Sequence, residues 1–272
     1  MGTEGLTFVK LGGSVITNKK GAESPDLEVI RGLADDLHAA RQAHPGLSLL
    51  VGHGSGSFGH HYAARYGIHR GLADDGDWMG FALTSGAALR LNRLVADTLL
   101  AAGVPALSLQ PSASLQSAGG EIVAWETANI RQALARGLVP VVHGDVAFDM
   151  GQGCAIASTE MLFDYLAREP SIHPQRIILV GENAVYTDDP HIEPDAQSIP
   201  LITSDNIEQV LSLSRNSHAT DVTGGMRSKV ETMWSLVQAT PGLVVHLIGA
   251  TPGLLRQALS GEPVDEGTII RQ

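Results

Sequence analysis

Short apolar runs of strand length alternate along this chain with segments of helical periodicity, and that alternation constrains the architecture more than any other feature. Thr7–Leu11, Leu47–Val51, Pro105–Leu109, Leu138–His143, Arg176–Val180, Leu243–Ile248 and Thr268–Ile270 read as strands. Leu27, Ile30, Leu33 and Leu37 recur at helical spacing, with Ser24 expected as the cap and Pro25 at the first helical position. Further helices are expected over Asp77–Ala102, Thr127–Arg136, Ser158–Arg168, Asn206–Leu213, Met226–Gln238 and Pro252–Leu259. Strand–helix alternation of this kind builds a mostly parallel sheet with helices on both faces, an α/β class. No Pro- or Ser-rich linker and no repeat interrupts it. A single domain over 1–272 is expected, and the region near Ser171–Gln175 is the candidate seam between two lobes sharing one sheet.

Charge narrows the partners. The chain carries a formal net charge of −11, which argues against a broad surface for nucleic acid or anionic membrane. An anionic ligand would need a local positive site within a negative field, so the lysines matter. Only four of the 18 basic residues are lysine: Lys10, Lys19, Lys20 and Lys229. Cys154 is the one cysteine, which rules out an intramolecular disulfide. The histidines show no zinc-like pairing with cysteine, and no metal site is expected. No apolar run of about 20 residues occurs and the first residues lack a signal-like pattern, so a cytoplasmic protein is expected.

In an open parallel sheet ligands bind outside the carboxyl ends of the strands. Two such ends carry glycine-rich turns, Lys10-Leu11-Gly12-Gly13-Ser14 and Gly52 to Gly59. Glycine lets backbone approach a phosphate and turn its N–H groups inward, and a following helix N-terminus adds a favourable dipole. Neither turn fits GxxxxGK[ST]. Gly54-x-Gly56-x-x-Gly59 matches GxGxxG literally, but no acidic residue ending a following strand about 20 positions on supports a dinucleotide. A third turn, Thr223-Gly224-Gly225-Met226, opens a helix and puts Lys229 near its start, a good anion site by geometry.

Together these segments resemble the amino-acid-kinase superfamily, and within it the isopentenyl phosphate kinases. The resemblance is carried by Lys10–Thr17 (KLGGSVIT), His53–His60 (HGSGSFGH), Gly80–Thr84 (GFALT), Leu109–Ala113 (LQPSA), Val139–Val146 (VPVVHGDV), Val185–Thr187 (VYT) and Asp221–Met226 (DVTGGM). HGSGSFGH with its terminal histidine resembles the phosphate-acceptor loop of isopentenyl phosphate kinases, and fosfomycin kinases are similar there. The resemblance implies a three-layer αβα sandwich and ATP-dependent phosphorylation of isopentenyl phosphate to isopentenyl diphosphate, a step of an alternative mevalonate pathway. It implies an acceptor lobe over roughly 1–172, a nucleotide lobe over roughly 173–272, and a homodimer. Magnesium would travel with the ATP phosphates.

The resemblance also assigns roles. Lys10 bridges donor and acceptor phosphates, and Lys19, favoured over its neighbour Lys20, reaches the γ-phosphate. Lys229 binds ATP phosphates, and His60 donates to the acceptor phosphate. Gly12, Gly13, Ser14, Gly56, Gly181 and Gly225 serve the nucleotide. Ser55, Gly59 and Thr159 serve the acceptor. Tyr62, Met79, Phe81, Leu83 and Ile156 are candidates for the isopentenyl pocket. Two departures stand out. Relatives commonly carry Ser-Gly-Asp where this chain reads Ser158-Thr159-Glu160, and an Asp-Val-Asp-Gly type of segment where it reads Gly181-Glu182-Asn183-Ala184. Glu160 and Asp145 are both candidates for the carboxylate that organises the lysines. The competing expectations are a kinase for another small phosphate or phosphonate such as fosfomycin, and a nucleotide-binding regulator without turnover.

Overall fold

The computed structural model describes residues 5–18, 21–73, 75–181, 183–188, 190, 193, 195–213, 225–264 and 266–272. The chain opens with β1 (Gly5–Leu11), a single helical turn α1 (Gly13–Ile16), α2 (Leu27–Ala43), β2 (Leu47–His53), α3 (Gly56–Arg65), α4 (Trp78–Ala101) and β3 (Ala106–Ser108). It continues through β4 (Leu115–Ala118), β5 (Glu121–Trp125), α5 (Ala128–Ala135), β6 (Val139–His143), β7 (Asp145–Asp149), β8 (Gly153–Ala157) and α6 (Thr159–Arg168). The last part holds β9 (Pro174–Val180), β10 (Val185–Tyr186), β11 (Ser198–Ile199), β12 (Leu201–Ile202), α7 (Ile207–Leu213), α8 (Gly225–Ala239), β13 (Val244–Ile248), α9 (Leu254–Ser260) and β14 (Thr268–Ile270).

Eight strands form one sheet in the order β12-β14-β13-β9-β1-β2-β6-β3. Every pairing in it is parallel except β13 with β14. Side-chain alternation sends Phe8, Leu50, Val142, Ile177 and Val245 to one face, where they meet Phe163 of α6 and Met233 of α8. Val9, Leu11, Leu49, Val51, Val141, Ile178 and Ile248 go to the other, against Leu37 of α2, Leu91 and Val95 of α4, and Leu255 of α9. Two cores separated by one sheet make the three-layer αβα sandwich. The strands before and after the 171–175 segment occupy opposite halves of that sheet, which meet where β9 pairs with β1.

Three local readings change. The cap of α2 is Asp26, whose side chain accepts from Val29 N at 3.2 Å, and not Ser24. Pro25 instead pairs with Thr17 in an antiparallel bridge, reinforced by Asn18 N donating to Ser24 O at 2.8 Å. Residues 17 and 25 are thus the base of an arm, and proline's fixed φ suits that extended position. The glycine stretch after β2 enters α3 rather than remaining a turn. Residues 115–125 and 145–157 supply a second, four-stranded sheet, β5-β4-β7-β8, which periodicity alone did not reveal. Among the described residues no helix is long and apolar enough to cross a membrane.

Candidate active site

The five central strands end in register. Leu11 pairs with His53 and Val180, His53 with His143, and Val180 with Ile248. In all five the next residue is glycine: Gly12, Gly54, Gly144, Gly181 and Gly249. Four of these continue the ladder by one bond. Gly12 N donates to Val180 O at 2.8 Å, Gly54 N to Leu11 O at 3.0 Å, Gly144 N to His53 O at 2.9 Å and Gly181 N to Ile248 O at 2.9 Å. The carboxyl edge of the sheet is therefore a low shelf without side chains, the place where a parallel sheet offers a ligand its backbone.

The two glycine turns rest on each other here. A Cβ on Gly13 would lie 2.5 Å from Gly56 N, and one on Gly54 would lie 2.8 Å from Gly13 N. Side chains at either position would force the loops apart. Thr17, which the motif reading passed over, ties them: its hydroxyl donates to Gly13 O at 2.6 Å and accepts from Ser57 N at 3.0 Å. The N–H groups of Gly13, Ser14, Ser55 and Gly56 donate to no described residue. Two touching loops thus present four such groups, each loop leading into a helix start, an arrangement that could receive an anion.

Lys10 points from β1 toward the α6 face of the sheet, and its ammonium pairs with Glu160. The partner reaches it because α6 sits hard on β2. A Cβ on Gly52 would lie 2.5 Å from Thr159 Cγ2 and 2.6 Å from Phe163 Cε1. Ser158 caps α6 by accepting from Met161 N at 3.2 Å, and Glu160 occupies the first turn, where the helix dipole favours a carboxylate. Burial pushes the Glu160 carboxyl up. The Lys10 charge and hydrogen bond, with the Lys229 charge from the first turns of α8, outweigh it and hold the carboxyl below its ordinary range. Glu160 thus stands between two lysine charges. Asp145 is buried at the start of β7, where its oxygens accept from Val146 N at 2.8 Å and Ser112 N at 3.4 Å. The carboxylate that meets Lys10 is Glu160.

The remaining candidates distribute around this edge. His60 lies exposed on α3, one turn beyond Gly56, and its ring makes no hydrogen bond to a described residue. Ser55 is the cap residue of α3, and Gly59 packs so closely on it that a Cβ would collide with Ser55 Oγ. Thr159 is buried and its hydroxyl donates to His53 O at 2.7 Å, which fastens the head of α6 to the end of β2. A Cβ on Gly181 would meet nothing within 4 Å, so packing does not require glycine there. Gly225 is the first residue of α8. Lys19, Lys20, Glu182 and Thr223-Gly224 lie outside the described residues.

Of the apolar candidates, Phe81 and Ile156 pack on a small buried cluster of Ala63, Ile68, Val146 and Cys154 beside α3. Phe81 stacks on Phe148 with ring centroids 4.8 Å apart. Tyr62 instead packs with the larger core, and its hydroxyl donates to Glu23 at 2.9 Å. Arg90 grips the same carboxylate from α4 at 2.7 Å, which ties Glu23 to both α3 and α4. Leu83 is half-buried and Met79 is 64% exposed. Among the described residues no three His, Cys, Asp or Glu side chains converge on a point that could hold a metal ion.

A doubly covered parallel sheet whose carboxyl edge gathers unpartnered loop N–H groups beside a Lys10–Glu160 pair has the arrangement of a phosphate-handling enzyme. The sequence profile of the amino acid kinase family matches residues 5–246. The isopentenyl phosphate kinase of Methanothermobacter thermautotrophicus is 36% identical over 97% of this chain and 98% of its own length. That of Haloferax volcanii is 34% identical over 98% of both. A solved isopentenyl phosphate kinase superposes with a TM-score of 0.83 at 33% identity, over 98% of this chain and 100% of that one. A carbamate kinase from Giardia lamblia bound to AMP-PNP shares the fold, with a TM-score of 0.70 at 12% identity. The chain belongs to the amino acid kinase family, and within it to the isopentenyl phosphate kinases.

Proposed function

We propose that this chain transfers the γ-phosphoryl group of ATP to isopentenyl phosphate, giving isopentenyl diphosphate and ADP. The observation that carries the reading is the meeting of Lys10, Glu160 and the unpartnered backbone N–H groups at one sheet edge, together with relatives of that activity aligned over almost the whole chain.

The chemistry asks for positioning and charge neutralisation more than for a base. The acceptor's phosphate oxygen is already ionised at neutral pH. It forms the new bond to the γ-phosphorus while the bond from that phosphorus to the β–γ bridging oxygen breaks, and the electron pair leaves on ADP. Lys10 stands beside the transferred group and stabilises its charge. Glu160 fixes the position of the Lys10 ammonium. Its extra methylene, relative to the aspartate of relatives, leaves the ion pair formed. His60 donates to the acceptor phosphate from α3, and Lys229 serves the nucleotide phosphates from α8. Lys19 serves the γ-phosphate. Lys10, Lys229 and the loop N–H groups would hold the nucleotide's phosphates, and magnesium carried with them would supply charge neutralisation.

The halves of the sheet divide the work: residues before about 172 hold the acceptor, with the isopentenyl tail against Phe81 and Ile156, and those after it hold ATP. The working form is a cytoplasmic homodimer. Phosphorus NMR of a mixture of protein, ATP, magnesium and isopentenyl phosphate tests the reaction. New paired diphosphate resonances should grow as the monophosphate and the γ-phosphate of ATP decline. An unchanged monophosphate signal beside intact ATP would refute it.

A further inference from the structure

Behind the acceptor loop lies a chain of buried polar groups whose hydrogen-bond directions admit one assignment. His53 is wholly buried at the end of β2. Its Nδ1 is 3.0 Å from Gly54 O, and its Nε2 is 3.1 Å from the side-chain amide nitrogen of Asn92. A carbonyl oxygen only accepts, so Nδ1 carries the ring proton. The ring is neutral, because burial first and the nearby His143 second depress its pKa to about 3; the two rings stack with centroids 5.5 Å apart. Nε2 therefore holds a lone pair and needs a donor. Asn92, buried on the core side of α4, meets it with an amide N–H. That leaves Asn92 Oδ1 to accept from the hydroxyl of Ser108 at the end of β3.

The direction of one peptide follows. In a trans peptide the carbonyl and the following N–H point opposite ways. With Gly54 C=O turned inward onto His53, the N–H of Ser55 turns outward, among the other loop N–H groups that donate to no described residue. The rest of the segment is already fixed. His53 O accepts from Thr159 Oγ1 at 2.7 Å and Gly144 N at 2.9 Å, and Gly54 N donates to Leu11 O at 3.0 Å. The freedom that remains is rotation of the Gly54–Ser55 peptide, and the imidazole stops it.

We propose that Asn92 is a positioning residue for the acceptor: it holds His53 as the Nδ1–H tautomer, and that tautomer keeps the Ser55 N–H aimed at the acceptor's phosphate. The proposal rests on the reading of residues 53–60 as the acceptor loop. Asn92→Asp preserves size but replaces the donor by an acceptor. Ser108→Ala removes the group that orients the amide. At position 53 the amide nitrogen of asparagine takes the place of Nδ1, whereas that of glutamine takes the place of Nε2. A role in packing alone would favour the bulkier glutamine.

The test combines steady-state kinetics with nitrogen NMR of histidine-labelled protein. Asn92→Asp and His53→Gln should raise the KM for isopentenyl phosphate about tenfold or more, the scale of a lost hydrogen bond to a charged group, while the KM for ATP stays within about twofold. Ser108→Ala should shift the acceptor KM in the same direction, and His53→Asn should raise it less than His53→Gln does. The wild-type spectrum should contain a ring with protonated Nδ1 and bare Nε2, missing from His53→Asn and altered in Asn92→Asp. Three results overturn the proposal: an unmoved acceptor KM in both Asn92→Asp and Ser108→Ala, His53→Gln matching or surpassing His53→Asn, or an unaltered ring signature in Asn92→Asp. If thermal melting shows Asn92→Asp unfolded, Ser108→Ala and the two His53 variants carry the same test. A wild-type protein with the ring signature but no turnover of isopentenyl phosphate would refute the acceptor reading, and the proposal with it.

Discussion

Glu160 is the residue on which the proposed site turns, because it meets Lys10 directly. Glu160→Gln keeps the shape and removes the charge between Lys10 and Lys229. It should lower kcat by about a hundredfold, on the scale of losing one electrostatic contact to the transition state, with little change in fold. The same group sets a pH dependence. Its folded carboxyl titrates below the ordinary value of 4.5. The pair's contribution to stability is therefore complete above pH 4.5 and lost as pH falls through the lower folded value. Unfolding midpoints taken downward from pH 5 should fall less steeply in Glu160→Gln than in the wild type. Thr17 makes a structural claim at the same scale. Thr17→Val removes the hydroxyl joining Gly13 O to Ser57 N and should cost about 2 kcal/mol in denaturant unfolding.

At the scale of elements, the Lys10–Glu160 pair depends on how α6 rests on β2. Gly52→Ala places a methyl against Thr159 and Phe163. It should destabilise the fold by about 2 kcal/mol and also lower kcat, since α6 must move and take Glu160 from Lys10. Gly181→Ala behaves differently, because its Cβ enters open space and the backbone there is unstrained. Its unfolding midpoint should match the wild type while its KM for ATP rises, and an unchanged KM would remove Gly181 from the nucleotide site.

The elements also mark where sequence reading succeeds. The buried strands β1, β2, β6, β9, β13 and β14 were legible because a strand covered on both faces is a continuous apolar run. So were α4 and α6, whose starts carry Asp77 and Ser158 as caps. The start of α3 was hidden because glycine, serine and histidine there read as a turn. The second sheet was hidden because its strands are short and carry exposed apolar residues, such as Phe148 at 58% exposure, which blur the two-residue alternation. Thr17 and Asn92 leave different traces. Thr17 sits inside a motif but carries no chemistry of its own to notice. Asn92 is a polar residue on the apolar stripe of α4 between Leu91 and Val95, and that mismatch could have been read.

Across the whole molecule, three histidines, two buried and one partly buried, set its tolerance of acid. His53 is depressed to about 3 and His246 to about 4, each chiefly by burial, and burial lowers His143 as well. In the unfolded chain all three take up protons near 6.5. Stability should therefore be greatest above pH 6.5 and decline progressively as pH falls below it. A flat stability profile from pH 7 to pH 5 would show that these rings are not held neutral.

The arrangement that makes the rings costly also makes the site. Parallel strands ending in register bring His53 and His143 together under the glycine shelf and set Lys10 opposite Glu160. The central claim is that this edge transfers phosphoryl groups to isopentenyl phosphate. It is tested most directly by following ADP release from ATP and magnesium with isopentenyl phosphate, dimethylallyl phosphate, geranyl phosphate, fosfomycin and N-acetylglutamate as acceptors, beside Lys10→Ala and His60→Ala. The account predicts the highest kcat/KM with isopentenyl phosphate and its loss in both variants. Preference for fosfomycin, or no ADP release with any acceptor, would contradict it.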